Sequence, residues 1–448
     1  MEMKEKLKEF FKGKRVAILG FGREGRSTLE ILRETDCGEI GILDKNPVDQ
    51  NDCEGCTLHC GENYLDHMGD YDIIMKAPGI ALFDKVPPEI KEKITSQTDL
   101  FLRFCNNHTV GVTGTKGKST TSSLITHMLN SCGKKAVLLG NIGIPPLSAI
   151  DTLEKDTIVV LEMSCHQLEY VKASPNTAVL LNVYEEHLDH YVDFNAYKLA
   201  KENIYRYQNE YDTLIYNKDL FNDEIRQLKE NSPNPRRIVS VSMEEDKDAN
   251  VYLSGNDIIF FTDKITYDQL SPKLEGRHNL YNIAAALTAA QYAIGIGFDF
   301  MKAADSVGRF SGLEHRMETV RTVNGVRYIN DSISTIPHAT IWAVKTFNAD
   351  TVIIGGMDRG IMYDDLVKFL NKGDVQTIIC LPDSGHKIAD MLDTPSAVFK
   401  VNNMEEAVQK AAETAKHCCV LSPAAASYGF YKNFEERGRH FKELVNKL

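Results

Sequence analysis

Short apolar runs alternate with amphipathic stretches along the chain, and the runs fall into three successive groups. The first group opens with Arg15-Val16-Ala17-Ile18-Leu19-Gly20, the pattern of a short buried strand. A helical pattern follows from about Glu24 to Arg33, then a strand, Ile40-Gly41-Ile42-Leu43, ending in Asp44. The second group starts at Thr109-Val110-Gly111-Val112-Thr113, passes through a glycine-rich loop and enters a helix near Lys118. Further strands are predicted at Thr157 to Met163 and at Ala178 to Asn182. The third group begins with Val326 to Asn330 and continues at Thr351 to Ile354, Thr377 to Cys380, Ala397 to Lys400 and Cys418 to Leu421. Helical patterns separate these runs. The alternation predicts an α/β fold with mainly parallel sheets, in three domains at 1–98, 99–312 and 313–448. The charged, Pro-containing stretch from Lys229 to Asn250 reads as a surface excursion within the second group.

Length agrees with this division. At roughly 100–200 residues per domain, a chain of 448 residues holds two to four. Net charge is −12, from 51 Lys+Arg against 63 Asp+Glu, which argues against nonspecific nucleic-acid binding. No stretch approaches the length of a spanning helix, and Met1 to Lys8 is too charged for a signal peptide, so no membrane association is expected. Ten scattered cysteines suit a reduced cytoplasm. Cys53, Cys56, His59 and Cys60 have metal-like spacing but lack a second distant pair, so incidental thiols are expected there.

Candidate chemistry lies at strand ends. Gly20-Phe21-Gly22-Arg23-Glu24-Gly25 matches G-x-G-x-x-G between a strand and a helix, with Asp44 closing the next strand. That arrangement suits a nucleotide or dinucleotide, and an NAD(P)-dependent oxidoreductase is one reading of it. Gly111-Val112-Thr113-Gly114-Thr115-Lys116-Gly117-Lys118-Ser119-Thr120 departs from the strict phosphate-loop pattern at Val112. It keeps a flexible loop, a lysine that can reach terminal phosphates and a hydroxyl for Mg²⁺, so a triphosphate site is expected. Glu162 and His187 follow later strands and could complete metal coordination for phosphoryl transfer. Lys201, by helical pattern alone, reads as a surface lysine. In the third group, Asn330-Asp331-Ser332, Gly355 to Gly360 and Leu421 to Ser427 could form one rim for a small polar substrate, with Arg359 facing a carboxylate.

Taken in order, these motifs resemble the Mur ligase family, and within it the branch that adds glutamate to UDP-N-acetylmuramoyl-L-alanine. The resemblance rests on Gly114 to Thr120, Leu161-Glu162-Met163-Ser164 with Gln167-Leu168-Glu169, and Asn182 with Glu185 to Asp189. It continues through Gly276-Arg277-His278-Asn279, His315-Arg316, Asn330-Asp331-Ser332, Leu421-Ser422-Pro423 and Lys432 to Gly438. It covers nearly the whole chain and implies a UDP-binding Rossmann-like domain, a central ATPase and a C-terminal Rossmann-like domain. The first glycine turn would then hold the UDP substrate, with Arg23, Glu24, Asp44, Gly79, Asn141 and Gln167 as contacts. Gly114, Thr115, Lys116, Gly117, Lys118, Ser119, Thr120, Asn279, Arg316 and Asp331 would bind ATP. Ser119, Glu162, His187 and a carbamylated Lys201 would serve two Mg²⁺ ions. The activity implied is an ADP-forming ligation through an acyl phosphate in peptidoglycan precursor synthesis, by a cytoplasmic monomer whose partners are the UDP-sugar and glutamate.

The departures cluster at the amino-acid pocket. Thr335, Ser427 and Phe434 match the family's glutamate contacts, whereas Ile333 stands where the family usually has lysine and Arg359 replaces another. Some relatives with an Asp-Ser-Ile loop add L-glutamate; D-glutamate is the expectation here. A catalytically silent nucleotide switch is disfavoured by the retention of Lys118, Glu162, His187 and Asp331.

Overall fold

A computed structural model describes residues 2–82, 86–142, 144–186, 190–231, 236–261, 263–267, 274, 276–310, 312, 314–358 and 360–448, without the side chains of Arg23, Asn231 and His338. The chain is mixed α/β with largely parallel sheets, and it divides into two compact units, residues 1–310 and 311–448.

The first sheet belongs to the larger unit and is wholly parallel, in the order β3-β2-β1-β4-β5. Its strands are β1 (Arg15–Leu19), β2 (Glu39–Asp44), β3 (Thr57–Cys60), β4 (Ile73–Lys76) and β5 (Ile94–Thr95). Helices α1 (Met3–Phe11), α2 (Arg23–Arg33), α3 (Pro88–Lys91) and α4 (Gln97–Phe104) accompany them. Val16, Ile18 and Ile42 share one continuous core with Phe101 of α4 and with Leu161 and Leu168 beyond it. Each fully buried aliphatic side chain of this kind stabilises by about 1.5–3 kcal/mol.

The second sheet contains β6 (Thr109–Thr113), β7 (Ala136–Gly140), β8 (Ile158–Glu162), β9 (Thr177–Leu180) and β10 (Thr213–Asn217). It extends through β11 (Arg237–Ser242), β12 (Val251–Ser254), β13 (Asp257–Phe260) and β14 (Asp263–Thr266), the last two pairings being antiparallel. Its order is β14-β13-β12-β11-β10-β9-β6-β8-β7. Helices α5 (Lys118–Ser131), α6 (Cys165–Leu168), α7 (Phe194–Arg206), α8 (Lys218–Asn231), α9 (Arg277–Ile294) and α10 (Phe300–Ser306) connect the strands or follow them. The alanine-rich run Ala284 to Ala290 is buried all round, which a helix tolerates only inside a core. One expectation is corrected here. The 229–250 stretch is not a surface excursion, because it contains β11, whose Val239 and Val241 are buried in the central core.

The smaller unit holds β15 (Glu318–Val323), β16 (Val326–Asn330), β17 (Thr351–Gly356), β18 (Thr377–Asp383), β19 (Ala397–Lys400) and β20 (Cys418–Leu421). The order is β15-β16-β20-β17-β18-β19, with β15 antiparallel and the other strands parallel. Helices α11 (Pro337–Phe347), α12 (Asp364–Leu370), α13 (Ser384–Met391), α14 (Met404–Thr414) and α15 (Phe434–Lys447) complete it. Cys380, Cys418 and Cys419 lie buried in its strands as free thiols.

Candidate active site

Three parallel strands, β8-β6-β9, place their carboxyl ends side by side, and the loop after β6 runs between the other two. Gly117 caps α5 at φ +86°, a conformation that glycine adopts at little cost. A Cβ there would also stand 2.7 Å from Asn282 Oδ1 on α9. Asn182, just past β9, clamps the loop: its carbonyl accepts from Thr115 N at 2.8 Å and its Oδ1 from Lys116 N at 2.8 Å. Its Nδ2 donates back to Lys116 O at 3.0 Å.

The loop's carbonyls face two lysines. Lys118 Nζ donates to Gly114 O at 2.9 Å and Thr115 O at 3.0 Å. Lys201 Nζ reaches the same Gly114 O at 2.9 Å from α7. Lys201 is therefore not a surface residue: it is 1% exposed, and the helical pattern read it on the wrong face. Burial pushes its pKa down to about 8, and the nearby Lys118 charge pushes the same way. No apolar periodicity could have revealed this, because a lysine in a polar cleft looks the same in sequence as one on a wet surface.

Glu162 ends β8 and is 1% exposed. Asn141 Nδ2 donates to its Oε1 at 2.6 Å, while Oε2 is buried without a hydrogen-bond partner among the described residues. A buried carboxylate oxygen left this way is costly unless a cation takes it. Ser119 lies buried in the first turn of α5, which also begins at the loop. This donor set of carboxylate and hydroxyl oxygens fits a hard divalent cation. Thr120 follows in the same turn; Asn279, in the first turn of α9, accepts from Asn282 Nδ2 at 3.0 Å. His187 falls outside the described residues.

The glycine turn after β1 is organised differently. Asp44 Oδ2 accepts from Phe21 N at 2.7 Å and its Oδ1 from Asn46 N at 2.8 Å, so the strand-end carboxylate caps the turn itself. Gly25 permits close packing of α2, since a Cβ would come within 2.2 Å of Gly20 O. Glu24 sits in the first turn of α2, and burial pushes its pKa up to about 7, with Lys76 pulling the other way. Gly79 lies in the loop after β4, and Gln167 completes a capping box with Ser164 at the start of α6.

The smaller unit gathers its three small-residue loops. Asp331 N donates to Leu421 O at 2.8 Å, Ser422 Oγ to Asp331 Oδ2 at 2.8 Å, and Gly355 N to Pro423 O at 2.8 Å. Burial raises the pKa of Asp331. Arg437, part of the Lys432 to Gly438 run but given no role from the sequence, ties the loops together through Ser332 O, Ala425 O and Ala426 O at 2.8 to 3.1 Å. Ser427, Gly356 and Arg437 line a cavity of about 240 Å³. Phe434 opens α15 and its carbonyl accepts from Ser332 Oγ at 2.8 Å; Thr335 is partly buried and Arg316 exposed. Arg359 lies outside the described residues. Glu314, His315 and Glu318 converge closely enough for a metal, but Lys442 Nζ already stands 2.9 and 2.6 Å from the two carboxylates. Cys53, Cys56 and Cys60 are free thiols, the first buried, the second half-buried and the third exposed.

Comparison with known proteins adds three findings. The family model for the Mur ligase middle domain matches residues 112–290, and that for the Mur ligase glutamate ligase domain matches 315–424. The UDP-N-acetylmuramoylalanine--D-glutamate ligase of Clostridium botulinum (strain 657 / Type Ba4) is 34% identical over 99% of both chains. The protein of the same name from Clostridium kluyveri is 32% identical over 98% of both. Among solved structures, the UDP-N-acetylmuramate-alanine ligase of Thermotoga maritima matches with a TM-score of 0.51 at 18% identity, covering 97% of this chain and 99% of that one. Folylpolyglutamate synthase of Thermotoga maritima gives 0.55 at 14% identity, covering 78% and 93%. These two share the fold.

Proposed function

The chain belongs to the Mur ligase family, and we propose that within it the protein joins D-glutamate to UDP-N-acetylmuramoyl-L-alanine in peptidoglycan precursor synthesis, forming ADP and phosphate. The observation that carries this is the phosphate loop flanked by buried Glu162 and Lys201, with Lys118 folded onto the loop carbonyls. The D-glutamate ligases that match the chain along its whole length support the choice of amino acid.

A carboxylate does not react with an amine at neutral pH, because oxide is a poor leaving group. The γ-phosphoryl group of ATP is transferred to the L-alanyl carboxylate, giving an acyl phosphate and ADP. The glutamate amine then attacks the acyl carbon, loses a proton and expels phosphate. Lys118 swings from the loop carbonyls to the phosphates and offsets the charge between two anions. Mg²⁺ supplies further charge neutralisation when bound, and Ser119, Glu162, His187 and the carbamate of Lys201 would hold it at two sites. The depressed pKa of Lys201 supports the carbamate, since only the neutral amine combines with CO₂.

In this reading Gly114 to Thr120, Asn279, Arg316 and Asp331 bind ATP. Arg23, Glu24, Asp44, Gly79, Asn141 and Gln167 face the UDP substrate, and Thr335, Arg359, Ser427 and Phe434 face glutamate. The 1–98, 99–312 and 313–448 segments act as three domains of a cytoplasmic monomer. No described helix is long and apolar enough to cross a membrane.

The deciding assay is phosphate release with UDP-N-acetylmuramoyl-L-alanine, ATP and Mg²⁺, comparing the two glutamate isomers. Faster release with D-glutamate is expected. No release with either isomer sinks the ligase reading, and faster release with L-glutamate replaces only the isomer, pointing to Ile333 as the residue that shifts it.

A further inference from the structure

Glu169 follows α6 and has no part in the roles proposed above. Its Oε2 nevertheless holds two buried groups, Lys76 Nζ at 3.3 Å and His190 Nε2 at 3.2 Å. Burial works to raise its pKa, yet His190 and Lys76 keep it below the ordinary value. The backbone here is pinned as well: Asn203 Nδ2, on the helix that carries Lys201, donates to Leu168 O at 2.9 Å and Glu169 O at 3.4 Å.

Each partner leads to a different place. Lys76 is the last residue of β4 and pairs in register with Leu19, the residue that leads into the Gly20 turn. Strand order reverses between β1 and β4, and the crevice at such a reversal is where open α/β sheets receive ligands. His190 packs its ring 4.9 Å from Tyr191, and Tyr191 lies edge-on to Tyr197 at 5.6 Å. The Tyr197 hydroxyl is 2.9 Å from Thr115 Oγ1, in the phosphate loop.

From these contacts we infer that Glu169 is a positioning residue for both ligand sites. Through Lys76 it fixes the edge of the first sheet that receives the nucleotide-sugar, and through His190, Tyr191 and Tyr197 it fixes Thr115 in the triphosphate loop. Buried charges and packed rings transmit displacement because they have few alternative arrangements. The inference rests on the proposed assignment of the two sites.

The test is calorimetric binding of two probes, UDP-N-acetylmuramoyl-L-alanine and ADP with Mg²⁺, to the full chain. Lys76→Met is expected to weaken the sugar nucleotide about tenfold and leave ADP within about twofold, and Tyr197→Phe the reverse. Glu169→Gln should weaken both about tenfold at an unchanged unfolding midpoint, which a residue serving one site, or only the fold, would not do. If the unpaired Lys76 unfolds that variant, Lys76→Met/Glu169→Met removes both charges and should still lose both affinities. A folded Glu169 variant that binds both probes within about twofold of wild type overturns the inference. Wild-type protein that binds neither probe would instead overturn the proposed function.

Discussion

The chain turns from strand into helix over glycines after β1 and again after β6, and these two turns meet charges of opposite sign. After β1 one backbone N–H, that of Phe21, is taken by a carboxylate of the chain itself, Asp44, and an acidic side chain, Glu24, is half-buried in the next helical turn. After β6 the N–H groups of Thr115 and Lys116 are held by uncharged Asn182, and the charges lodged against the loop are the ammonium groups of Lys118 and Lys201, on its carbonyls. The same strand-glycine-helix grammar thus supports a turn capped by a carboxylate in one place and a loop loaded with two lysines in the other. A glycine pattern shows that the backbone can approach a ligand; the charges lodged against it decide which ligand, and how many negative charges it can bring.

The comparison breaks most readily at Lys118. Lys118→Ala should lower kcat by about 10³-fold while leaving affinity for the UDP substrate alone, as measured by phosphate release and direct titration. Lys201→Ala should cost about 10²-fold, with partial recovery in the presence of short carboxylic acids that stand in for the carbamate. Failure of both the loss and the recovery would remove the carbamate from the reading. On the other turn, Asp44→Ala unfastens Phe21 N and Asn46 N, and should raise KM for the UDP substrate about tenfold with a stability loss of about 1–3 kcal/mol in denaturant unfolding.

The smallest effect sharpens the contrast through pH. Glu24 has a folded-state pKa of about 7 against an ordinary 4.5. Its contribution to stability is therefore full below pH 4.5 and lost as pH rises through about 7, because the charged form is disfavoured where it is buried. Wild type should lose stability relative to Glu24→Gln across that window, and its KM for the anionic UDP substrate should rise over the same range. The variant's KM should stay flat; parallel profiles for the two proteins would place the titration elsewhere.

Much of this arrangement was legible in the residues. The strands that end at Asp44, Glu162 and Asn330 announced themselves as apolar runs, and Lys118 was marked by its loop. β11 was hidden because its short alternation, Arg237-Ile238-Val239-Ser240-Val241-Ser242, sits beside proline and charge, so local composition outweighed a strand whose burial comes from neighbours far along the chain. The helical pattern alone misread Lys201, which only the family resemblance singled out, and gave Lys76 and Arg437 no role, for a related reason. A buried cation is stabilised by carbonyls, hydroxyls or carboxylates brought from distant segments, and only the fold shows which polar residues face inward.

The three thiols in the smaller unit carry a practical consequence. Cys380 is pushed up to about 12 and Cys419 well above the ordinary thiol value, both by burial, and Cys418 is raised for the same reason. Thiolate is the nucleophile, so alkylating reagents should ignore these strands for as long as the sheet stays shut. Their labelling rate then counts spontaneous openings of β18 and β20, giving a clock for the breathing of the rim without any probe being introduced.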